Sequence, residues 1–237
     1  ASVYFGGEDR LVRLDMNEFV SSDDVKRLIA DGADDPHSLS AQIMRQPFSV
    51  VLLDELEKAH DSVLTTLLQV LDEGILRDAK GREVSFRDAI IIATSNAGAE
   101  HIRRHIEAGE ELGQFEAAFT DELINSGQFR AEFLNRFDEI VLFRPLQPEE
   151  LVQVIDLIVK GINTTLEPQK IGVHVNQELK EGLVANGNDP RLGARPMRRM
   201  VQRVVENTVA KRLLAGDIQP GQTVILTPAD IPAELQK

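Results

Sequence analysis

Continuous apolar runs of strand length predict a sheet that is buried on both faces. Val50 to Leu53, Ala89 to Ala93 and Ile140 to Phe143 are such runs, each flanked by polar residues. Uninterrupted Val, Leu and Ile at this length are typical of parallel strands covered by helices. Leu11 to Asp15 alternates between apolar and polar residues instead, which predicts a strand with one exposed face.

The apolar residues of Asp61 to Glu73 recur three and four positions apart, which predicts an amphipathic helix that ends at Gly74. A helix between two buried strands indicates a crossover, so the sheet is predicted to be parallel. Leu76 to Val84 is polar and predicts a hairpin, whereas Ala30 to Ser38 is rich in Asp and predicts a loop. The polar stretch from Ala99 to Gln128 predicts helices in several pieces.

A change of pattern at Pro145 and Pro148 predicts a domain boundary. Pro148 suits the first turn of a helix, and beyond it short strands alternate with amphipathic helices. Strands are predicted at residues 173–175 and 223–226, and helices at 177–185 and 196–215. We therefore predict a large α/β domain over residues 1–145 and a small α+β lid over residues 146–237.

Composition narrows the class of protein. With 237 residues, 42% of them hydrophobic, the chain can form one large domain or a large and a small one. Its apolar runs fall short of the roughly 18 residues that a membrane span needs, and no basic stretch followed by an apolar core begins it. The absence of cysteine excludes disulfides and thiolate metal sites and suits a reducing cytoplasm. The net charge of −13 disfavours nucleic acid as the main ligand.

Two adjacent carboxylates, Asp54 and Glu55, end the apolar run that begins at Val50. The carboxyl ends of parallel strands are where open α/β sheets bind their ligands. There the first carboxylate can hold a divalent cation while the second orients a water molecule. The same two residues can alternatively cap the next helix, because acidic side chains are favoured near its positive end. The residues alone leave both interpretations open.

Four motifs along the chain resemble, in order and spacing, those of the Clp/Hsp100 AAA+ ATPases. They are Val51-Leu52-Leu53-Asp54-Glu55-Leu56-Glu57-Lys58-Ala59-His60, Thr94-Ser95-Asn96-Ala97-Gly98, Phe133-Leu134-Asn135-Arg136-Phe137-Asp138-Glu139 and Gly193-Ala194-Arg195-Pro196. The resemblance is to the second ATPase module and its small C-terminal subdomain, and it spans nearly the whole chain. It implies an α/β fold in which a partial large subdomain of the parallel-sheet P-loop NTPase (AAA+) type is followed by a small α+β lid.

The resemblance also implies roles for the polar residues that end the buried strands. At the position of Asp54 the family binds the magnesium ion of the nucleotide through the water shell of the ion. Glu55 matches the general base that polarises the attacking water. Asn96 matches the first sensor, an amide that donates to the γ-phosphate and positions that water. Without the resemblance, an Asn directly after a strand is more often a turn residue.

Two arginines match further positions of the family. Arg136 resembles the arginine finger, which reaches the nucleotide of a neighbouring subunit and stabilises charge on the transferred phosphoryl group. Its alternative is an ion pair with Asp138 or Glu139. Arg195 resembles the second sensor, which binds the phosphates and couples the lid to the nucleotide state. Most of the arginines around it are interpreted as a solvated face; they are Arg191, Arg198, Arg199 and Arg203.

The resemblance implies ATP and Mg²⁺ as cofactors and an intact parent that is an ATP hydrolase. Copies of the chain would form a ring, a hexamer, in which hydrolysis drives unfolding or disaggregation of protein substrates in the cytoplasm. Some members hand their substrates to a peptidase. The alternatives are a non-catalytic module that builds a ring or docks a partner, and an AAA+ machine that acts on DNA. The net charge and the lack of interleaved aromatic residues weigh against DNA.

Two departures from the family pattern limit these expectations. The chain contains no Gly-x-x-x-x-Gly-Lys-Ser/Thr loop, which supplies the amides and the lysine that bind the phosphates. We therefore expect this chain not to hydrolyse ATP by itself. We also expect it to be a piece of a longer protein, because Ala1 to Gly6 resembles the end of a helix. Residues 30–44 lack the aromatic pore residue of the family, so gripping of a threaded polypeptide is not supported.

Overall fold

The computed structural model describes residues 1–30, 34–187, 194–219 and 221–231, apart from the side chains of Glu116 and Ala117. Some positions singled out from the sequence lie outside the described residues: 31–33 of the predicted loop, Arg191 and Gly193. The chain divides into two compact units, Ala1–Leu142 and Phe143–Lys237. The domain boundary after residue 145 stays a prediction.

Three parallel strands form the sheet of the first unit. The strands of this unit are β1 (Leu11–Asp15), β2 (Val50–Asp54), β3 (Ile75–Arg77), β4 (Glu83–Ser85) and β5 (Ile90–Ala93). The sheet has the order β1-β2-β5, with Asp15 beside Asp54 and Leu53 beside Ala93. The predicted parallel sheet is therefore confirmed, and β3 and β4 pair antiparallel as the predicted hairpin. This register brings the carboxyl ends of β1, β2 and β5 to one edge.

The first unit also contains helices, some of which pack against this sheet. They are α1 (Ser2–Phe5), α2 (Val25–Ile29), α3 (Leu39–Arg45), α4 (Asp61–Glu73), α5 (Ala99–Glu107), α6 (Leu112–Asn125) and α7 (Ala131–Leu134). The apolar face of α4 buries Val63, Leu67 and Val70, and Gly74 ends the helix in the left-handed region. These side chains share one hydrophobic core with β1 and β2. Burial of each contributes roughly 1.5–3 kcal/mol, which fixes the position of β2.

The predicted strand at Ile140 to Phe143 is wrong, because this segment forms no strand. Its first and third residues pack against the core, while its second and fourth are exposed, so the alternation of a strand is present. No strand of the described residues pairs with it. The apolar run therefore indicates a segment that packs against the core but does not pair with a strand of the sheet.

Helix α3 is absent from the sequence-based prediction. The buried side chain of Ser38 starts this helix, since its Oγ accepts a hydrogen bond from the amide of Ala41 at 3.2 Å. Leu39 and Ile43 are buried on one face. A helix of only seven residues offers two turns of periodicity, too little to recognise beside the polar loop that precedes it.

The second unit has a small α+β fold, as predicted for the lid. It consists of α8 (Pro148–Leu166), β6 (Gly172–Val175), α9 (Gln177–Gly187), α10 (Arg195–Ala215) and β7 (Thr223–Leu226). Strands β6 and β7 pair in parallel, and the three helices share a separate hydrophobic core with them. Pro148 begins α8, and Gly216 ends α10 in the left-handed region. Throughout the described ranges, every helix is too short or too polar to span a lipid bilayer.

Candidate functional site

The carboxyl ends of β2 and β5 meet at Glu55 and Thr94. Glu55 has φ 56° and ψ 52°, in the left-handed region that non-glycine residues rarely adopt. Two hydrogen bonds hold this conformation. The amide of Glu55 donates to Thr94 Oγ1 at 3.2 Å, and the amide of Leu56 donates to the Thr94 carbonyl at 2.9 Å. Strained backbone that its surroundings over-determine is typical of functional sites.

Both carboxylate oxygens of Asp54 accept hydrogen bonds from neighbouring strands. Thr94 Oγ1 donates to Oδ1 at 2.6 Å, and Arg13 Nη2 on β1 donates to Oδ2 at 2.5 Å. The side chain of Asp54 remains 26% exposed. Asp54 is therefore fixed in orientation and still reachable from solvent.

Asn17 orients the side chain of Glu55. Its Nδ2 donates to Glu55 Oε2 at 2.8 Å and to Asp15 Oδ1 at 2.7 Å. The backbone amide of Asn17 donates to the same Asp15 oxygen at 3.0 Å, so Asp15 fixes Asn17 in turn. The second carboxylate oxygen of Glu55, Oε1, makes no hydrogen bond within the described ranges. That oxygen can accept a proton from a water molecule.

The structure does not support the helix-capping interpretation of the two carboxylates. His60 is the N-cap of α4, where its Nδ1 accepts a hydrogen bond from the amide of Ser62 at 3.2 Å. Glu55 precedes a short 3-10 turn, but its side chain makes no capping hydrogen bond there. The hydrogen-bond partners given above for Asp54 and Glu55 lie on β1, directly after β5 and in the turn after β1 instead.

Asn96 contacts Glu57, not Glu55. The backbone amide of Asn96 donates to Glu57 Oε1 at 3.2 Å, and its Nδ2 donates to the same oxygen at 3.3 Å. Ser95 Oγ donates to Glu57 Oε2 at 2.7 Å. The predicted sensor and the predicted general base thus lie at the same edge of the sheet, but no hydrogen bond joins them.

The residues present fit a magnesium ion that arrives together with a nucleotide. No group of three or more metal-ligating side chains could hold an ion by itself in the part of the chain that the structure describes. Asp15, Asp54, Glu55 and Glu57 nevertheless make this edge acidic, and Arg13 is a cation that donates to Asp54 there. Mg²⁺ keeps several waters and takes its other ligands from one or two carboxylates and the phosphates. Asp54 is the carboxylate that would meet that water shell.

Arg136 is paired within its own chain. It follows α7, whose Phe133 and Leu134 are buried, and its Nε contacts Oδ1 of Asp72 on α4. The sequence left open an ion pair with Asp138 or Glu139, but Arg136 pairs with Asp72 instead. The side chain of Arg136 is 48% exposed, so its guanidinium also reaches solvent.

Arg195 lies in the second unit, as the first residue of α10. It is exposed, and no hydrogen bond or ion pair joins it to another described residue. Arg199 and Arg203 follow at intervals of four residues, so the three arginines lie along one face of the helix. Arg198 is exposed beside them. The structure does not bring Arg195 together with the carboxylates within one unit.

A cluster of His and Glu side chains joins α5 to α6 after the turn that follows β5. His105 contacts Glu110 through Nδ1 at 2.9 Å and Glu122 through Nε2 at 3.4 Å, and it stacks on Phe115. His101 contacts the other oxygen of Glu122 at 3.0 Å. The hydrogen bond to Glu110 raises the pKa of His105, and the hydrogen bond from His101 lowers the pKa of Glu122. The cluster fastens α5, none of whose residues is buried.

Sequence reasoning missed the residues that hold the candidate site in place. They are Arg13, Asn17, Glu57, Asp72 and Thr94. Two of them, Glu57 and Thr94, lie inside the quoted motifs, so their position there was the available signal. Arg13 and Asn17 reach Asp54 and Glu55 because β1 pairs with β2. The sequence alone does not show which strands pair.

Comparison with known families covers both units of the chain. Residues 1–140 match the family described as AAA domain (Cdc48 subfamily). Residues 146–226 match the C-terminal, D2-small domain of ClpB protein. The two matches follow the order of a large ATPase domain and its small C-terminal companion.

Individual relatives are similar over almost the whole chain. Chaperone protein ClpB of Aquifex aeolicus is 41% identical over 235 residues, which are 95% of this chain and 23% of that protein. Chaperone protein ClpC2, chloroplastic, of Arabidopsis thaliana is 37% identical over 249 residues, 99% of this chain and 26% of that protein. Chaperone protein ClpB of Bacillus cereus is 40% identical over 233 residues, 95% of this chain and 27% of that protein. The chain therefore spans about a quarter of the length of these curated relatives.

Proposed function

Because the chain belongs to the AAA family and carries a small C-terminal domain of the ClpB type, we propose that it is an ATPase module of a Clp/Hsp100 protein-remodelling chaperone or protease-associated unfoldase. In the full-length protein, a ring of such modules, a hexamer, hydrolyses ATP to unfold or disaggregate protein substrates in the cytoplasm. The relatives named ClpB and ClpC2 are chaperones, which supports this proposal.

The arrangement of Asp54, Glu55 and Asn96 at one edge of the sheet carries the proposal. Asp54 would bind the water shell of a magnesium ion, which when bound neutralises charge on the phosphates. Glu55, oriented by Asn17 and with no described residue bonded to its Oε1, would accept the proton of the attacking water. Asn96 keeps its Oδ1 and one hydrogen of Nδ2 for that water and the γ-phosphate.

The two arginines would act on the phosphates. We propose that Arg136 stabilises the transferred phosphoryl group on a neighbouring subunit, for which it has to exchange Asp72 for the nucleotide. An ion pair as exposed as this one contributes no more than about 1 kcal/mol, so the exchange is easily driven. Arg195, which has no partner among the described residues, would bind the phosphates as the second sensor.

Hydrolysis requires a phosphate loop that these 237 residues do not contain. Without the amides and the lysine of that loop, most of the contacts to the phosphates are missing. We therefore propose that this chain alone does not hydrolyse ATP, and that Glu55 and Asn96 act where the full-length protein supplies the loop.

The hairpin of β3 and β4 is the proposed contact for protein substrates. The buried carboxylate of Asp78 accepts hydrogen bonds from the amides of Lys80 and Arg82, both at 2.9 Å, and from Arg82 Nε at 2.7 Å. The amide of Ala79 donates to the carbonyl of Ile29 at the end of α2, at 2.7 Å. The tip is therefore rigid and charged, and we propose that it contacts substrates through shape and charge.

Replacement of the general base in the full-length protein tests the proposal. We expect Glu55→Gln to lower the rate of ATP hydrolysis by at least about 100-fold, because the amide cannot accept the proton of the attacking water. Binding of ATP, measured with a fluorescent analogue, should stay within about twofold of wild type, since the side chain keeps its size.

Glu73→Gln is the matched control, because Glu73 is an exposed carboxylate at the last residue of α4, away from the carboxyl ends of β2 and β5. It should leave hydrolysis unchanged. Equal turnover in the wild type and Glu55→Gln would contradict the assignment of the base and favour a non-catalytic module that builds the ring.

A further inference from the structure

Glu57 makes all of its described hydrogen bonds to the turn that carries Asn96. It follows β2 by three residues, inside the 3-10 turn Leu56–Lys58. One carboxylate oxygen accepts from Ser95 Oγ at 2.7 Å, and the other accepts from both the backbone amide and Nδ2 of Asn96, at 3.2 and 3.3 Å. A single carboxylate therefore fastens the backbone and the side chain of Asn96 together.

This bond decides which way the amide of Asn96 faces. An Asn side chain has one accepting end and one donating end of almost the same shape, so an exposed amide can turn over freely. An ionised carboxylate has only accepting oxygens, so it selects the Nδ2 end. With Nδ2 held by Glu57, the Oδ1 of Asn96 and the second Nδ2 hydrogen face away from Glu57 and stay available to a ligand.

The anchoring of Glu57 is itself rigid. The residue before it, Leu56, is buried and donates its amide to the Thr94 carbonyl at 2.9 Å. The amide of Ala97 donates to Ser95 Oγ at 3.0 Å, which orients the hydroxyl that Glu57 accepts from. The turns after β2 and β5 are thus joined beyond the last residue pair of the sheet.

We propose that Glu57 is a positioning residue for ATP hydrolysis, which sets the orientation of the Asn96 amide toward the attacking water and the γ-phosphate. This inference rests on the proposed function, in which Asn96 is the first sensor. Glu57 contacts neither water nor phosphate in this role. Its effect passes through Asn96 alone, so removal of Asn96 has to cancel it.

Nuclear magnetic resonance of this chain tests the orientation without any hydrolysis. In the wild type, the side-chain NH₂ signals of Asn96 should be well separated. In Glu57→Gln, which preserves size, the two signals should move closer together, because an amide partner can bind either end of Asn96. Glu73→Gln is the control and should leave them unchanged. Identical Asn96 signals in the wild type and Glu57→Gln would overturn the proposal.

Steady-state kinetics of the full-length protein test the consequence. We expect Glu57→Gln to lower kcat by about tenfold while the KM for ATP stays within about twofold, since the orientation of the sensor amide is no longer fixed and no contact to the nucleotide is lost. Glu57→Ala should behave alike. Asn96→Ala should lower kcat at least as far, and the double variant Glu57→Gln with Asn96→Ala should equal Asn96→Ala alone.

The outcomes separate this inference from the function on which it rests. If Asn96→Ala leaves kcat unchanged, the role of Asn96 as a sensor fails. If Asn96→Ala lowers kcat but Glu57→Gln does not, only the role of Glu57 fails. A merely structural role would lower the unfolding temperature of Glu57→Gln, raise KM together with the fall in kcat, and add to the effect of Asn96→Ala; any of these results would also overturn the proposal.

Discussion

Two parts of the molecule, one in each unit, differ in how the chain holds the residues with proposed roles. At the ends of β2 and β5, the side chains of Asp54, Glu55 and Asn96 all have hydrogen-bond partners from other strands or turns. On α10, Arg195 and Arg199 are exposed and have no polar partner in the described part of the chain. The first part has its geometry before a ligand binds. The second part, in the proposed function, takes its geometry only from the phosphates that it binds.

The difference has a physical cause and a consequence for stability. A base and a sensor act only in one orientation, and orientation fixed in advance lowers the barrier of the reaction. An arginine can bind a phosphate from many rotamers, so it needs no fixed position before binding. Like charges four residues apart destabilise a helix by about 0.2–0.5 kcal/mol per pair, so the arginines of α10 repel one another in the absence of a bound anion.

Gly98 offers the strongest way to break the preorganised part, because it holds the turn after β5 against α6. Its φ is +70°, and a Cβ on it would lie 2.6 Å from Phe119 Cζ and 2.9 Å from Leu123 Cδ2. We expect Gly98→Ala to lower the free energy of unfolding of this chain by about 2–4 kcal/mol, from steric overlap in the core and from the left-handed backbone together. Urea denaturation measures the loss.

Gly81→Ala separates the two contributions. Gly81 has a similar φ of +78° in the hairpin of β3 and β4, but a Cβ there meets nothing within 4 Å. Only the backbone term of about 1 kcal/mol is therefore expected. Equal losses of free energy of unfolding for the two variants would show that the close contact of Gly98 with α6 does not contribute to the loss in Gly98→Ala.

A smaller effect is expected from pH, through the cluster that ties α5 to α6. The hydrogen bond to Glu110 raises the pKa of His105 from 6.5, so its contribution to stability is complete below pH 6.5 and is lost as the pH rises through the raised pKa. The hydrogen bond from His101 lowers the pKa of Glu122 from 4.5, so that contribution is complete above pH 4.5 and is lost as the pH falls through the lowered pKa.

The free energy of unfolding should therefore be highest between these two limits. Urea denaturation of the wild type and His105→Gln between pH 5 and pH 9 should show a difference that shrinks as the pH rises above about 6.5. A difference that stays constant over this range would mean that the stacking of His105 on Phe115, and not its charge, fastens the helix.

The sequence predicted the strands of the candidate site better than the contacts between them. Val50 to Leu53 and Ala89 to Ala93 were recognisable as uninterrupted apolar runs of strand length. Coverage of both faces was expected for both runs, but in β5 the side chain of Ile92 is 46% exposed. The polar residue after each run could be placed at the edge of a parallel sheet. The roles of Glu55 and Asn96 came from the resemblance and stay predictions.

The contacts were not predictable because they join residues distant in sequence through the pairing of strands. Asn17 reaches Glu55 across 38 positions, and Glu57 reaches Asn96 across 39. Arg136 shows why nearby residues alone do not predict a contact. The acidic residues nearest to it along the chain are not its partners, and it pairs with Asp72 on α4 instead. The strand expected at Ile140 to Phe143 failed similarly, because burial alone does not supply a neighbouring strand.

The smallest effect on stability is expected from the exposed arginines of α10. Arg199 lies four residues from both Arg195 and Arg203 and has no partner among the described residues, so Arg199→Gln should stabilise this chain slightly, by about 0.2–0.5 kcal/mol per relieved pair. Arg212→Gln on the same helix is the matched control. Arg212 donates to Asp230 at 2.8 Å, and the loss of this bond should destabilise the chain by about 1 kcal/mol. Thermal unfolding at low salt measures both, and added phosphate should stabilise the wild type more than Arg199→Gln, because an anion relieves the same repulsion. A loss of stability in Arg199→Gln would mean that this arginine is held in place like the residues at the strand ends.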